Sequence, residues 1–85
     1  MDEKRLEKLR SEIDQIDDQI IQLLRRRILV AREIGVAKGN DPVYDPEREK
    51  EVIQRLAEIS PDIEGERLSA IYGEIMSLCR SVQSR

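Results

Sequence analysis

The sequence predicts an all-α fold of three helices, one long, one short and one of medium length, that forms an intertwined helical homodimer. Three observations point there. An apolar heptad runs through Leu6, Leu9, Ile13, Ile16, Ile20 and Leu23, then Val30, Ile34 and Ala37. Its alternating steps of three and four mark a helix whose stripe packs on other helices. Turn-forming residues break the chain at Gly39-Asn40-Asp41-Pro42 and again at Ser60-Pro61-Asp62. No segment shows the period-two alternation of a strand.

The first helix is expected over roughly residues 3 to 38, where Gly39 and the following Pro42 end it. Asp45-Pro46 announces the second, with aspartate suited to the N-cap and proline to the first turn. Val52, Ile53 and Leu56 form its apolar side, with Ile59 near its end. The third starts near Gly65 and carries Leu68, Ile71, Tyr72, Ile75, Met76, Cys79 and Val82 on one stripe. Residues 1–85 read as one small domain without internal repeats. Its core must be aliphatic, because Tyr44 and Tyr72 are the sole aromatic residues.

Length then argues for a second copy. The first helix would span about 54 Å at ~1.5 Å per residue, whereas the other two would span only about 18 and 30 Å. The apolar stripe runs nearly the full length of the first helix, so part of it must be covered by another chain. A plain coiled-coil dimer would explain the seam but not the polar residues set into it.

Bulk properties exclude several functions. The chain is 39% apolar and 39% charged with a formal charge of −3, so no basic face dominates and a nucleic-acid partner is not expected. No apolar run approaches the roughly 18 residues of a membrane span. The chain opens on charged residues rather than a secretory signal, and a cytoplasmic location is the expectation. A single cysteine allows no internal disulfide, and without histidine no metal-ligand cluster is expected.

Arg27 interrupts the heptad where a leucine would fit. A guanidinium in a seam is costly unless anions meet it. Either it serves a negatively charged ligand, or it snorkels outward or meets an internal carboxylate. Arg27, Ala31, Ile34 and Lys38 share one helix face, which sets the two cations about 16 Å apart along the axis. That spacing suits a compact molecule with two carboxylates. Glu49 lies on the apolar side of the second helix and Gln83 on the inner face of the third. Taken singly, Glu49 reads equally as a solvated helix residue, Gln83 as a frayed end, and Lys38 as a complement to the helix dipole. Arg10 flanks the stripe about 25 Å from Arg27. It cannot reach the same small ligand within one chain, but in an antiparallel dimer centred near residue 21 it lies beside residue 32 of the other copy.

The segments LRSEIDQIDDQIIQLLRRRILVAREIGVAK, PVYDPEREKEVIQRL and IYGEIMSLCRSVQ resemble the all-helical class of chorismate mutase, in order and over nearly the whole chain. They are especially similar to the amino-terminal mutase domain of bifunctional chorismate mutase–prephenate dehydratases. The resemblance implies an intertwined dimer that rearranges chorismate to prephenate in the biosynthesis of phenylalanine and tyrosine. It also implies roles: Arg10 as the arginine supplied in trans, Arg27 and Lys38 on the substrate carboxylates, and Lys38 with Gln83 as donors to the ether oxygen. Asp45, through its backbone, and Glu49 would hold the ring hydroxyl, supported by Arg48. Cys79 stands where the family commonly has a carboxylate-contacting serine, and a thiol is the weaker donor. The loop between Lys38 and Val43 is shorter than in some relatives.

This chemistry needs no cofactor. The rearrangement is pericyclic, without proton transfer, so the protein has to hold a dianion in a compact chair and stabilise charge separating across the breaking C–O bond. Planar guanidinium forks suit the first task, and a cation with an amide donor at the ether oxygen suits the second. The alternatives are an isochorismate–pyruvate lyase, which uses a similar cationic site, and a helical dimerisation or regulatory module without activity.

Overall fold

The computed structural model describes residues 2–83 and consists of three helices, with no strand among the described residues. They are α1 (Glu3–Lys38), α2 (Pro46–Ile59) and α3 (Gly65–Gln83). Each boundary has a local cause. The Asp2 carboxylate accepts from the Arg5 backbone N–H at 3.0 Å and caps α1. At the other end Gly39 adopts φ 60°, a left-handed conformation that glycine takes without steric penalty, and its N–H bonds the Val36 carbonyl. Asp45 caps α2 by accepting from the Arg48 N–H at 3.1 Å, with Pro46 in the first turn. Among the described residues no helix is long and apolar enough to cross a membrane.

The third helix organises the rest. It packs against both α1 and α2, while no Cα of α1 comes within 8 Å of a Cα of α2. Ala31 of α1 is buried with Cys79 and Val82 of α3, and Ile28 and Ile75 pack around them. Val52 in α2 and Leu68 and Met76 in α3 are also buried. The face of α1 turned to α3 therefore runs through Ile28 and Ala31, beside the heptad stripe rather than along it. The sequence also placed Ile71 on the inner stripe of α3, but within one chain it is 56% exposed. Inner positions of α3 are set by Met76, Cys79 and Val82, and Ile71 falls to the side of that line.

The heptad of α1 is left uncovered. Leu6, Leu9, Ile13, Ile16, Ile20 and Leu23 are all exposed in the single chain, up to 60% for Leu23. The molecule measures 58 × 26 × 16 Å, and its long axis reflects the 36 residues of α1 running past its neighbours.

One close approach fixes the end of α3. A Cβ on Gly35 would lie 2.9 Å from the Gln83 carbonyl oxygen and 3.0 Å from its Cα, so only glycine lets the two backbones meet there. Replacing glycine by alanine inside a helix ordinarily stabilises by about 0.5–1 kcal/mol. Gly35→Ala should reverse that sign and cost about 1–2 kcal/mol, because the clash is with backbone that cannot rotate away. Thermal melts at matched protein concentration check this, and an unchanged or raised Tm would contradict the contact.

Candidate active site

Because α1 and α2 diverge over α3, a cleft of about 390 Å³ opens between them, within the usual size range of small-molecule sites. Its α1 wall presents Arg27, Val30, Ile34 and Lys38; the loop and α2 contribute Val43, Asp45, Arg48, Glu49 and Val52. Met76, Cys79, Arg80 and Gln83 of α3 close it from below. Of the residues singled out from sequence, Arg27, Lys38, Asp45, Arg48, Glu49, Cys79 and Gln83 are thus brought together. Arg10 is not: it lies exposed on the N-terminal half of α1, away from the cleft.

Arg27 is half-buried, and its Nη1 donates to the Cys79 Sγ at 2.9 Å. The ion pairs among the described residues are Arg67–Glu64 and Arg80–Glu49, so no described carboxylate neutralises Arg27. Sulfur is a weak acceptor, and the guanidinium keeps most of its five donors for something else. Lys38 closes the last turn of α1, where its Nζ donates to the carbonyls of Pro42 at 3.1 Å and Val43 at 3.0 Å. These two bonds hold the short loop against the helix end and leave one of the three ammonium protons uncommitted.

The other wall is anchored by its own charges. Asp45 caps α2 with its side chain, its backbone carbonyl accepts from the Glu49 N–H at 3.1 Å, and the residue lies at the rim of the cleft. Arg80 donates through Nη1 to the Glu49 Oε2, and its guanidinium lies 5.0 Å from the centroid of the Tyr44 ring. The hydrogen bond to Glu49 raises the Arg80 pKa above its already high ordinary value, which makes it a permanent cation. On α3, the Oε1 of Gln83 is buried without a protein partner. The donor end of that amide, Nε2, makes no hydrogen bond among the described residues either.

Four cations, Arg27, Lys38, Arg48 and Arg80, face two carboxylates, Asp45 and Glu49, so the lining carries two net positive charges although the whole chain carries −3. Such a cleft attracts a small dianion, with apolar walls at Val30, Ile34 and Val52 for its carbon skeleton. Among the described residues no group of three or more Cys, Asp or Glu side chains is arranged to hold a metal ion. Arg80 is the lining residue that reading the sequence missed. Its position was legible, since Met76, Cys79, Arg80 and Gln83 follow the three–four spacing of one helix face.

Comparison with known proteins establishes the family and the fold. The family described as chorismate mutase type II matches residues 9–84. The bifunctional chorismate mutase/prephenate dehydratase of Aquifex aeolicus is 38% identical over 87 residues, covering 94% of this chain and 24% of that protein. The intracellular chorismate mutase of Mycobacterium tuberculosis is 39% identical over 61 residues, covering 67% of this chain and 56% of that protein. A crystal structure of chorismate mutase from Helicobacter pylori in complex with prephenate has the same fold, with a TM-score of 0.90 and 35% identity over 95% of this chain and 91% of that one. The chain spans about a quarter of the length of the bifunctional relatives. With a family match over nearly its whole length and a shared three-helix fold, the chain belongs to the type II chorismate mutases.

Proposed function

We propose that this chain is a chorismate mutase that rearranges chorismate to prephenate, a step toward phenylalanine and tyrosine. The observation that carries the reading is the unneutralised Arg27 facing Lys38 and the Gln83 amide in one apolar-walled cleft. Prephenate, which the Helicobacter pylori relative holds in its crystal structure, is a dicarboxylate of the charge that this lining complements. A cytoplasmic location accords with the relative named as intracellular.

In this mechanism Arg27 donates to one substrate carboxylate and Lys38 attracts the other through its charge, and together they fold the side chain over the ring. Cys79 lies against the same end through its contact with Arg27. Asp45, through its backbone, and Glu49 hold the ring hydroxyl, and Arg48 supports them. As the C–O bond breaks and the new C–C bond forms within one molecule, negative charge develops on the ether oxygen. The remaining Lys38 proton and the Gln83 Nε2 donate to it, and their fixed positions lower the barrier because no solvent has to reorganise. Holding the reactive chair adds an entropic share. No proton is transferred, and no cofactor enters the step.

The open seam of α1 and the remote Arg10 have one explanation in common. Two copies packed antiparallel through the heptad cover Leu6 to Leu23 and carry Arg10 of one copy to the cleft of the other, where it binds a carboxylate. Chorismate consumption with prephenate formed, and no salicylate from isochorismate, tests the activity and separates it from a lyase or a non-catalytic module.

Two expected outcomes follow from the roles. Arg10→Ala and Lys38→Ala should each be nearly inactive. Unfolded and refolded together, they should regain activity approaching about a quarter of wild-type sites, because random pairing restores one intact site in each mixed dimer. No recovery, with mixed dimers shown to form, would place Arg10 in cis or outside the site. Gln83→Glu should be active mainly at acid pH, since a glutamate donates only when protonated, whereas the wild-type amide donates throughout. Its activity should fall as pH rises and the carboxyl ionises beside an oxygen that is itself becoming negative. A pH–rate profile with the shape of the wild type would remove Gln83 from the ether oxygen.

A further inference from the structure

Arg80 has no role in the rearrangement as described, yet it is the residue through which α3 touches both other parts of the far wall. Its guanidinium donates to Glu49 of α2 and lies 5.0 Å from the centroid of the Tyr44 ring, in the loop that leads into α2. This matters because α1 gives α2 no backbone support. The position of Glu49 then rests on the contacts of α2 with α3, and the Arg80–Glu49 pair is the ion pair among them. The Arg80 and Glu49 side chains are 32% and 23% exposed, so water screens the pair less than it would at an open surface.

We propose that Arg80 is a positioning residue that fixes the Glu49 carboxylate for the substrate's ring hydroxyl; this rests on the chorismate mutase reading above. The pair engages Oε2 and leaves Oε1 as the acceptor. A carboxylate alone on that wall would rotate freely and would repel a dianion entering the cleft. Arg80 removes both problems, since its donor selects the rotamer and its charge offsets that of Glu49. Tyr44 in turn keeps the guanidinium from swinging into the cleft, because a ring face attracts a cation and restricts its movement. The arrangement assigns Arg80 to Glu49 rather than to the substrate: it acts on the reaction through its neighbour.

A double-mutant cycle on kcat/KM separates this from direct substrate contact or general support of the fold. Arg80→Met keeps the length and removes the charge, and Glu49→Gln keeps the shape and removes the other charge. Each should lower kcat/KM by about tenfold or more, the loss expected for one charged hydrogen-bond partner. The double variant should be no worse than the poorer single one, because Arg80 has nothing left to position. Arg80→Lys, which retains a cation, should recover part of the activity, and it keeps the test open if Arg80→Met fails to fold. Losses that multiply in the double variant would overturn the proposal, as would Arg80→Met within twofold of wild type or Arg80→Lys no better than Arg80→Met. An inactive wild-type chain would overturn the functional reading and this role with it, whereas an active wild type with independent losses would overturn this role alone.

Discussion

A helix of 36 residues that outruns the rest of its own chain constrains everything else in this molecule. Its C-terminal half has a partner in α3, and its N-terminal half has none. Seven large apolar side chains from Leu6 to Leu23, the six of the heptad and Ile21, stand open to water. Covering them is worth more than any polar contact in the chain, since each buried leucine or isoleucine contributes about 1.5–3 kcal/mol. The second copy proposed above, laid antiparallel on the stripe, would cover it with the same surface used twice, as two-fold association requires. The cleft inherits its shape from this division of α1. One face of the helix is spent on α3 through Ile28 and Ala31, and the adjacent one, carrying Arg27, Val30 and Ile34, is free to line a site.

The charges of the cleft are sorted by what they already touch. Glu49 has Arg80, and Asp45 is occupied in capping α2. Arg27 has only a sulfur, and Lys38 has two carbonyls, neither of which carries a compensating charge. Arg27 and Lys38, without a carboxylate partner, therefore sit on α1, and the engaged carboxylates Glu49 and Asp45 lie on the opposite wall, where Arg48 is a further cation outside any described ion pair. A ligand with carboxylates toward α1 and a hydroxyl toward α2 fits that polarity. In a small and largely apolar cleft, fixed cations interact with such a ligand more strongly than they would in water. Electrostatic preorganisation of this kind can accelerate a reaction that asks for no acid, base or nucleophile.

Helix ends were legible because each is written in adjacent residues: Gly39 needs its left-handed φ, and Asp45-Pro46 forms a cap and a first turn. Arg27 and Lys38 were legible because a cation in or beside an apolar stripe contradicts the pattern around it. What escaped depends on contacts between distant segments. Arg80 looks like an ordinary solvated residue after Cys79 until Glu49, 31 positions earlier, is brought beside it. Gly35 reads as one more small residue in a helix until Gln83 arrives on its surface. The heptad misled in one respect, since it marks the seam of α1 and says nothing of the neighbouring face that α3 occupies. Ile71 was placed inward for a similar reason: spacing gives a stripe, but the width of the contact depends on how two helices cross.

The uncovered seam gives the central claim its most direct measurement. Sedimentation equilibrium or light scattering on the purified chain at micromolar concentration should return twice the 9.9 kDa chain mass, with no folded monomer on dilution until helicity is lost as well. A helical, cooperatively melting species of 9.9 kDa would show that α1 is stable with its seam in water, and would contradict the shared site built on it.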